Sequence, residues 1–249
     1  MSLHLVELPL ELRSLHLWAG RRALAGGFDE GMALHHLLGE VFGPAVLQPF
    51  RLMVAPRARR GTLYAYAGQD AAGLCKAATA SLTPAHAEVI DLAQLRSLPR
   101  PETLWKAGQV LGFDLRMRPM VRLASALAGQ TVDGAQLSFR KGAEVDAFLA
   151  AALREGAASR SDVYLSWLAA RLAPAAETLP EHTRLAGFER REIRRNWRRL
   201  EGPDATVHGT LRILDPTGFA GLLARGVGRH RAYGYGMLLL RPAQGRARC

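Results

Sequence analysis

Three groups of residues in this chain could do chemistry. The first is Gly226-Val227-Gly228-Arg229-His230-Arg231-Ala232-Tyr233-Gly234-Tyr235-Gly236, with four glycines and three basic side chains within eleven residues. Glycine admits positive φ and lets another chain approach closely. Successive N–H groups in such a loop form a concave anion site. Arg229 and Arg231 add charge-assisted donors that suit phosphate oxygens. Tyr235 to Leu240 reads as a buried strand, so the loop is anchored to a core. The pattern lacks a Walker A Lys-Ser/Thr ending. Two readings stay open: a fixed phosphate cradle made by Gly226, Gly228, Arg229, Arg231, Gly234 and Gly236, or an ordinary glycine turn before a strand.

The second group is His35-His36, on a segment of helical periodicity. Neighbours on a helix point about 100° apart, so at most one of them faces a given cleft. A histidine there is either a general acid/base near neutral pH or a half-buried side chain with no role. The third group is Arg190, Arg191, Arg194, Arg195, Arg198 and Arg199, with Glu189 and Glu192 beside them. Arg191, Arg194, Arg195 and Arg198 have i, i+3, i+4, i+7 spacing, which makes one basic face if the segment is helical. Phe188, Ile193 and Trp197 supply its apolar side. The acids are too few to neutralise the arginines, which favours a nucleic-acid face over a solvated one. No His-Glu-x-x-His, paired Cys-x-x-Cys or Gly-x-Ser-x-Gly pattern is present. Phosphodiester chemistry here is expected to use acid–base groups, with no metal or other cofactor.

The elements that must hold these groups follow from periodicity. Leu3–Leu10 alternates as a strand, and Leu12–Gly27 reads as a basic loop or short helix carrying Arg13, Arg21 and Arg22 before Gly26-Gly27. Asp29 caps a helix running to Phe42, stopped by Gly43-Pro44. Strands at Phe50–Ala55 and Leu63–Ala67 flank a basic turn, and Ala71–Ala80 is helical before a strand at Val89–Leu92. The order is β-α-β-β-α-β, a ferredoxin-like unit. Leu98-Pro99-Arg100-Pro101 reads as a linker. Then come a strand at Val110–Leu123, helices at Glu144–Leu153 and Ser161–Leu172, a strand at Thr206–Leu214, a helix begun by Asp215-Pro216, and the glycine loop with its strand. The expectation is an α+β chain of two tandem ferredoxin-like, RRM-related domains: 1–98, a 99–109 linker, and 110–249.

The chain has 249 residues, 33 Lys plus Arg against 22 Asp plus Glu, and a formal charge of +11. That balance favours nucleic acid or an anionic surface as partner. Cys75 and Cys249 form no disulfide or metal framework. No signal peptide or long apolar run is read, so a cytoplasmic protein without membrane association is expected.

Ala220 to Leu239, which includes the glycine loop, resembles the C-terminal loop of the CasE-type CRISPR endoribonucleases. Supporting segments are Leu115–Arg122, Lys141–Leu149, Val163–Leu168 and Val207–Leu211. The resemblance implies two ferredoxin-like domains and metal-independent cleavage of CRISPR repeat RNA beside its stem-loop. The 2′-hydroxyl would attack the adjacent phosphate, leaving a 2′,3′-cyclic phosphate and a 5′-hydroxyl. It also implies retention of the crRNA and association with other CRISPR-associated subunits. Leu34-His35-x-Leu37 matches the family's catalytic pattern, so the resemblance assigns His35 as the acid/base. The family often carries tyrosine three residues earlier, where this chain has Met32, and Arg21 or Arg22 would take over its role. The arginine-rich segment resembles a finger that grips the repeat stem in type IV relatives; a type I-E setting stays open. A non-cutting crRNA-binding subunit of the same fold is the alternative.

Overall fold

The computed structural model describes residues 2–22, 28–131, 134–156, 159–195 and 198–243; the side chains of residues 155 and 193–200 are not described. Gly26-Gly27, Trp197 and Cys249 thus lie outside the described residues, as do the side chains of Ile193, Arg194, Arg195, Arg198 and Arg199.

The first unit comprises β1 (His4–Glu11), α1 (Leu12–Arg21), α2 (Glu30–Phe42), β2 (Phe50–Met53), β3 (Arg60–Ala67), α3 (Ala71–Thr79), α4 (Pro84–Ala87) and β4 (Arg96–Pro99). Its antiparallel sheet has the order β2-β3-β1-β4, the ferredoxin-like arrangement. Alternation along β1 sends Val6, Leu8 and Leu10 into the core, where they meet Leu34, Leu37, Leu38 and Val41 of α2. Each such side chain removed from water contributes about 2 kcal/mol. The Asp29 carboxylate caps α2 by accepting the Met32 N–H at 3.1 Å. Gly43, at φ 96°, ends it. The 12–21 stretch, read as loop or helix, is a helix.

The expected Val89–Leu92 strand does not form. Thr83 and Pro84 start a short helix through a capping box, and the chain leaves it with Val89 and Ile90 plugged into the core. Only Ile90 pairs, in a single bridge to Leu10. The fourth strand is β4 instead, so Leu98-Pro99 of the supposed linker closes the sheet against β1. Pro99 is tolerated because an edge strand has one unpaired side.

The second unit comprises β5 (Val110–Met117), β6 (Met120–Arg122), β7 (Leu127–Gln130), β8 (Gln136–Phe139), β9 (Glu144–Asp146), α5 (Ala147–Glu155), α6 (Arg160–Leu172), β10 (Ala176–Thr178), β11 (Arg184–Arg195), β12 (Arg198–Ile213), α7 (Pro216–Arg225) and β13 (Leu238–Pro242). Its sheet runs β10-β12-β5-β13, with β11 also on β12. The last strand and the β12 hairpin flank the first strand, as in the first unit. The fold is therefore α+β with two ferredoxin-like units in tandem.

Three expectations need correction here, and the open choice of helix or hairpin for the arginine-rich segment is decided. The Val110–Leu123 strand is split at Arg118-Pro119, since proline has no N–H to donate to the ladder; beyond it, β6 pairs with β9. Glu144 is in β9, and the helix starts at Ala147, where Asp146 caps the Phe148 N–H at 2.8 Å. The closing strand starts at Leu238, because Gly236 at φ 80° keeps Tyr235–Met237 in a buried loop. The arginine-rich segment is an antiparallel hairpin, with Arg190 opposite Pro203, Arg194 opposite Arg199 and Arg195 opposite Arg198.

The two units share apolar surface. Leu3, Leu5 and Tyr64 of the first pack on the second core, and the buried Tyr66 hydroxyl donates to the Leu238 carbonyl at 3.0 Å.

Candidate functional site

Gly31 and His35 lie one helical turn apart on α2, so they share a face. The glycine loop docks on that face. A single 3₁₀ turn, Arg231–Tyr233, seats against the start of α2, and a Cβ at Gly31 would stand 2.7 Å from the Tyr233 carbonyl oxygen. Only glycine permits that approach. The Tyr233 and His35 rings are 5.2 Å apart between centroids, tilted by 50°. His36 lies 5.4 Å from His35, and His230 lies 6.4 Å from Tyr233 on the other side.

His35 is half-buried. Burial lowers its pKa below the ordinary histidine value, and the neighbouring His36 adds to the shift. Its imidazole therefore stands neutral at pH 7 and can accept a proton. His35 also lines a cavity of about 210 Å³ with His36, Glu40, Gln48 and Phe50. Behind it, Glu40 is held from two sides. The buried His86 ring accepts the Thr83 N–H at Nδ1, so Nε2 carries the proton offered to Glu40 at 3.1 Å. Arg22 pairs with the other Glu40 oxygen and covers Trp18 at 4.5 Å. Arg22 is thus linked to the His35 cavity only through Glu40 and does not itself line it. Arg21 is exposed on the last turn of α1.

In the loop, Gly226, Gly228, Gly234 and Gly236 all have positive φ, between 72° and 83°. They are packing glycines as well: a Cβ at Gly228 would stand 2.7 Å from Trp167, and one at Gly226 would stand 2.9 Å from Pro49. Val227 N–H to Gly236 O at 2.7 Å and Gly236 N–H to Arg116 O at 2.8 Å tie the loop shut. Those two N–H groups are therefore not offered to a ligand. The exposed tip carries Arg229 and Arg231. Arg229 pairs with Glu144, and His230 Nε2 lies 4.0 Å from the same carboxylate. Arg231 donates to the Arg225 carbonyl.

A charged network lies where the units meet. Asp204 of β12 accepts Arg116 Nε at 2.9 Å and the Tyr235 hydroxyl at 3.1 Å, and Arg191 approaches at 3.5 Å. Burial opposes Asp204 ionisation, but the Arg116 hydrogen bonds and charge outweigh it and hold the carboxyl below its usual pKa. Arg116 also reaches Glu30 of α2 at 3.8 Å. Arg51 of β2 meets Asp114 at 3.2 Å, which His208 approaches at 2.8 Å. At the hairpin, Arg190 lies 3.7 Å from Glu201, and Arg191 lies 3.8 Å from Glu189.

The structure thus joins His35 to the glycine loop, and the base of the arginine-rich hairpin meets that loop through Asp204, shared by Arg191 and Tyr235. Tyr233, Glu144 and the Arg116–Asp204 pair escape sequence reading. Tyr233 had one usable signal, an aromatic residue directly before a glycine of a basic loop; Glu144 had none. Among the described residues, no three His, Cys, Asp or Glu side chains come together as a metal-binding group. Among them too, no helix is long and apolar enough to cross a membrane.

The fold matches solved structures along nearly its whole length. One is a CRISPR endoribonuclease Cse3 bound to a 19-nucleotide RNA, at 20% identity and TM-score 0.64, covering 97% of this chain and 100% of that one. Another is Thermus thermophilus Cse3 bound to an RNA representing a pre-cleavage complex, at 21% identity and TM-score 0.63 with the same coverage. A third is the CRISPR-associated protein Cas6e from Escherichia coli K-12, at 16% identity and TM-score 0.54, covering 96% of this chain and 100% of that one. No curated protein sequence is significantly similar to the chain. The profile of the CRISPR associated protein family matches residues 3–242, and the chain belongs to that family.

Proposed function

We propose that this protein is an endoribonuclease that binds CRISPR repeat RNA and cuts it beside the stem-loop, without a metal ion. The observation that carries the reading is a half-buried His35, its pKa lowered by burial, beside the glycine loop in a chain of the CRISPR-associated family. The Cse3 structures of the same fold were determined with RNA bound, which supports RNA as the substrate class.

His35 takes the proton from a ribose 2′-hydroxyl, whose oxygen attacks the adjacent phosphorus. The bond to the 5′-oxygen breaks, and that oxygen leaves with a proton returned from the protonated His35 through solvent water, giving a 2′,3′-cyclic phosphate and a 5′-hydroxyl. We assign to Arg22 and Arg21 the stabilisation of charge on the phosphate; support comes from the pairing of Arg22 with Glu40, which lines the His35 cavity. Arg229 and Arg231 at the loop tip, with Gly226, Gly228, Gly234 and Gly236 shaping it, contact RNA phosphates after Arg229 exchanges Glu144 for phosphate. Arg190, Arg191, Arg194, Arg195, Arg198 and Arg199 on the hairpin grip the stem, where A-form RNA is recognised by shape and backbone. The product stays bound and joins other CRISPR-associated subunits in the cytoplasm. Residues 1–98 and 110–249 form the two domains, joined by 99–109.

The test is cleavage of the cognate repeat RNA in EDTA. The protein is expected to cut it and leave a cyclic phosphate, and His35→Ala to cut about 10²–10⁴-fold more slowly with RNA binding retained. Tight binding without any cutting would make it a crRNA-holding subunit. Full cleavage by His35→Ala would remove His35 from the mechanism.

A further inference from the structure

The backbone on both sides of Tyr233 is pinned. Its N–H donates to the His230 carbonyl at 2.9 Å. The next residue, Gly234, turns at φ 83°, where an added Cβ would stand 3.3 Å from the Phe50 ring. On the facing helix, Gly31 clears the space that the Tyr233 backbone occupies, and His35 follows on the same face. An aromatic side chain on a backbone held at both ends, its ring 5.2 Å from an imidazole and tilted by 50°, restricts the rotamers that imidazole can adopt.

We propose that Tyr233 is the positioning residue for His35: its ring, delivered from the second unit, orients the imidazole and shields one face of it from water. This rests on the assignment of His35 above. The ring acts here through contact and exclusion of water; the hydroxyl has no part in it. Gly31 belongs to the same device, because any side chain there would lift Tyr233 away. The other titratable groups that share His35's surroundings are His36 on its own helix, Glu40 at the rim of its cavity, and His230 beyond Tyr233.

Two readouts test the proposal on the full-length chain. In the protein alone, the His35 ring is titrated by NMR and assigned by its loss in His35→Ala. With repeat RNA, single-turnover cleavage and binding are measured side by side. Tyr233→Ala is expected to raise the His35 midpoint toward the ordinary value, slow cleavage by about 10–100-fold and leave RNA Kd within about twofold, the pattern of a mispositioned catalytic group. Tyr233→Phe is expected to restore both, since the ring remains. Tyr233→Leu replaces Tyr233→Ala should the latter fail to melt cooperatively. An unchanged His35 midpoint in Tyr233→Ala overturns the positioning role, whatever the protein does to RNA. A rate loss equal in Tyr233→Phe and Tyr233→Ala, with the midpoint unmoved, also overturns it and assigns the hydroxyl to the substrate. If the midpoint moves but His35→Ala still cuts at full rate, the contact is real and the cleavage assignment is what fails.

Discussion

The role proposed for His35 requires an uncharged imidazole. Its pKa lies below 6.5 because burial, and then His36, disfavour the imidazolium. A general base of this kind stays competent as pH falls from 8 toward about 6.5 and is lost only below that value. Single-turnover cleavage should therefore show its acid limb below pH 6.5. A limb at or above pH 7 would place the essential proton on another group. The linkage has the same sign for stability: the unfolded chain binds this proton more readily, so protonating the site favours unfolding. Much of the residue scale was legible beforehand. The His35 position followed from helical spacing and from a short resemblance around Leu34 and Leu37. Its neighbour Tyr233 was not legible, because contact between an early helix and a late loop is decided by how the two units pack. Sequence spacing carries no record of that packing.

At the scale of elements, the hairpin is the instructive case. A helical period is diagnosed from the contrast between polar and apolar positions. From Arg190 to Arg199 six of ten positions are arginine, so a helical stripe can be drawn through a segment that is in fact two paired strands. Long-range pairing with β5 through β12 settles the matter, and that pairing is invisible locally. The charge prediction survives the change of element. Arg194→Glu with Arg198→Glu should weaken repeat RNA binding strongly and flatten its salt dependence, by roughly one logarithmic unit of slope for each phosphate no longer neutralised. Equal affinity and slope in titrations at several salt concentrations would reduce the arm to a solvated hairpin. The misplaced fourth strand teaches the same lesson from apolar residues: Val89 and Ile90 have strand-like side chains, but a capping box upstream turns them into core plugs.

At the scale of the molecule, Asp114 and Arg116 of β5 alternate with the buried Phe113, Leu115 and Met117 and so lie on the opposite face of the strand. Arg51 and Glu30 of the first unit partly cover that face. Asp204 then neutralises Arg116 in a site where its own side chain is only 6% exposed and that of Arg116 is 16% exposed. Removing one partner of such a pair leaves an uncompensated charge and costs about 3–5 kcal/mol. Asp204→Asn should lower unfolding free energy by that order in urea titrations; a change below about 1 kcal/mol would show that water relieves the network. Because the Asp204 pKa is depressed, its contribution is present above the usual carboxylate value near 3.8 and disappears only as pH falls further.

The docking of the glycine loop on α2 also sets a timetable. His35 is translated early and Tyr233 late, and synthesis proceeds at about 5–20 residues per second, so the interval is on the order of ten to forty seconds. For that time the nascent chain exposes a histidine with no ring to seat it. The strand that anchors the loop, Leu238–Pro242, emerges later still. On the proposed function, a centre assembled this way stays incomplete on the ribosome until Leu238–Pro242 has paired with β5.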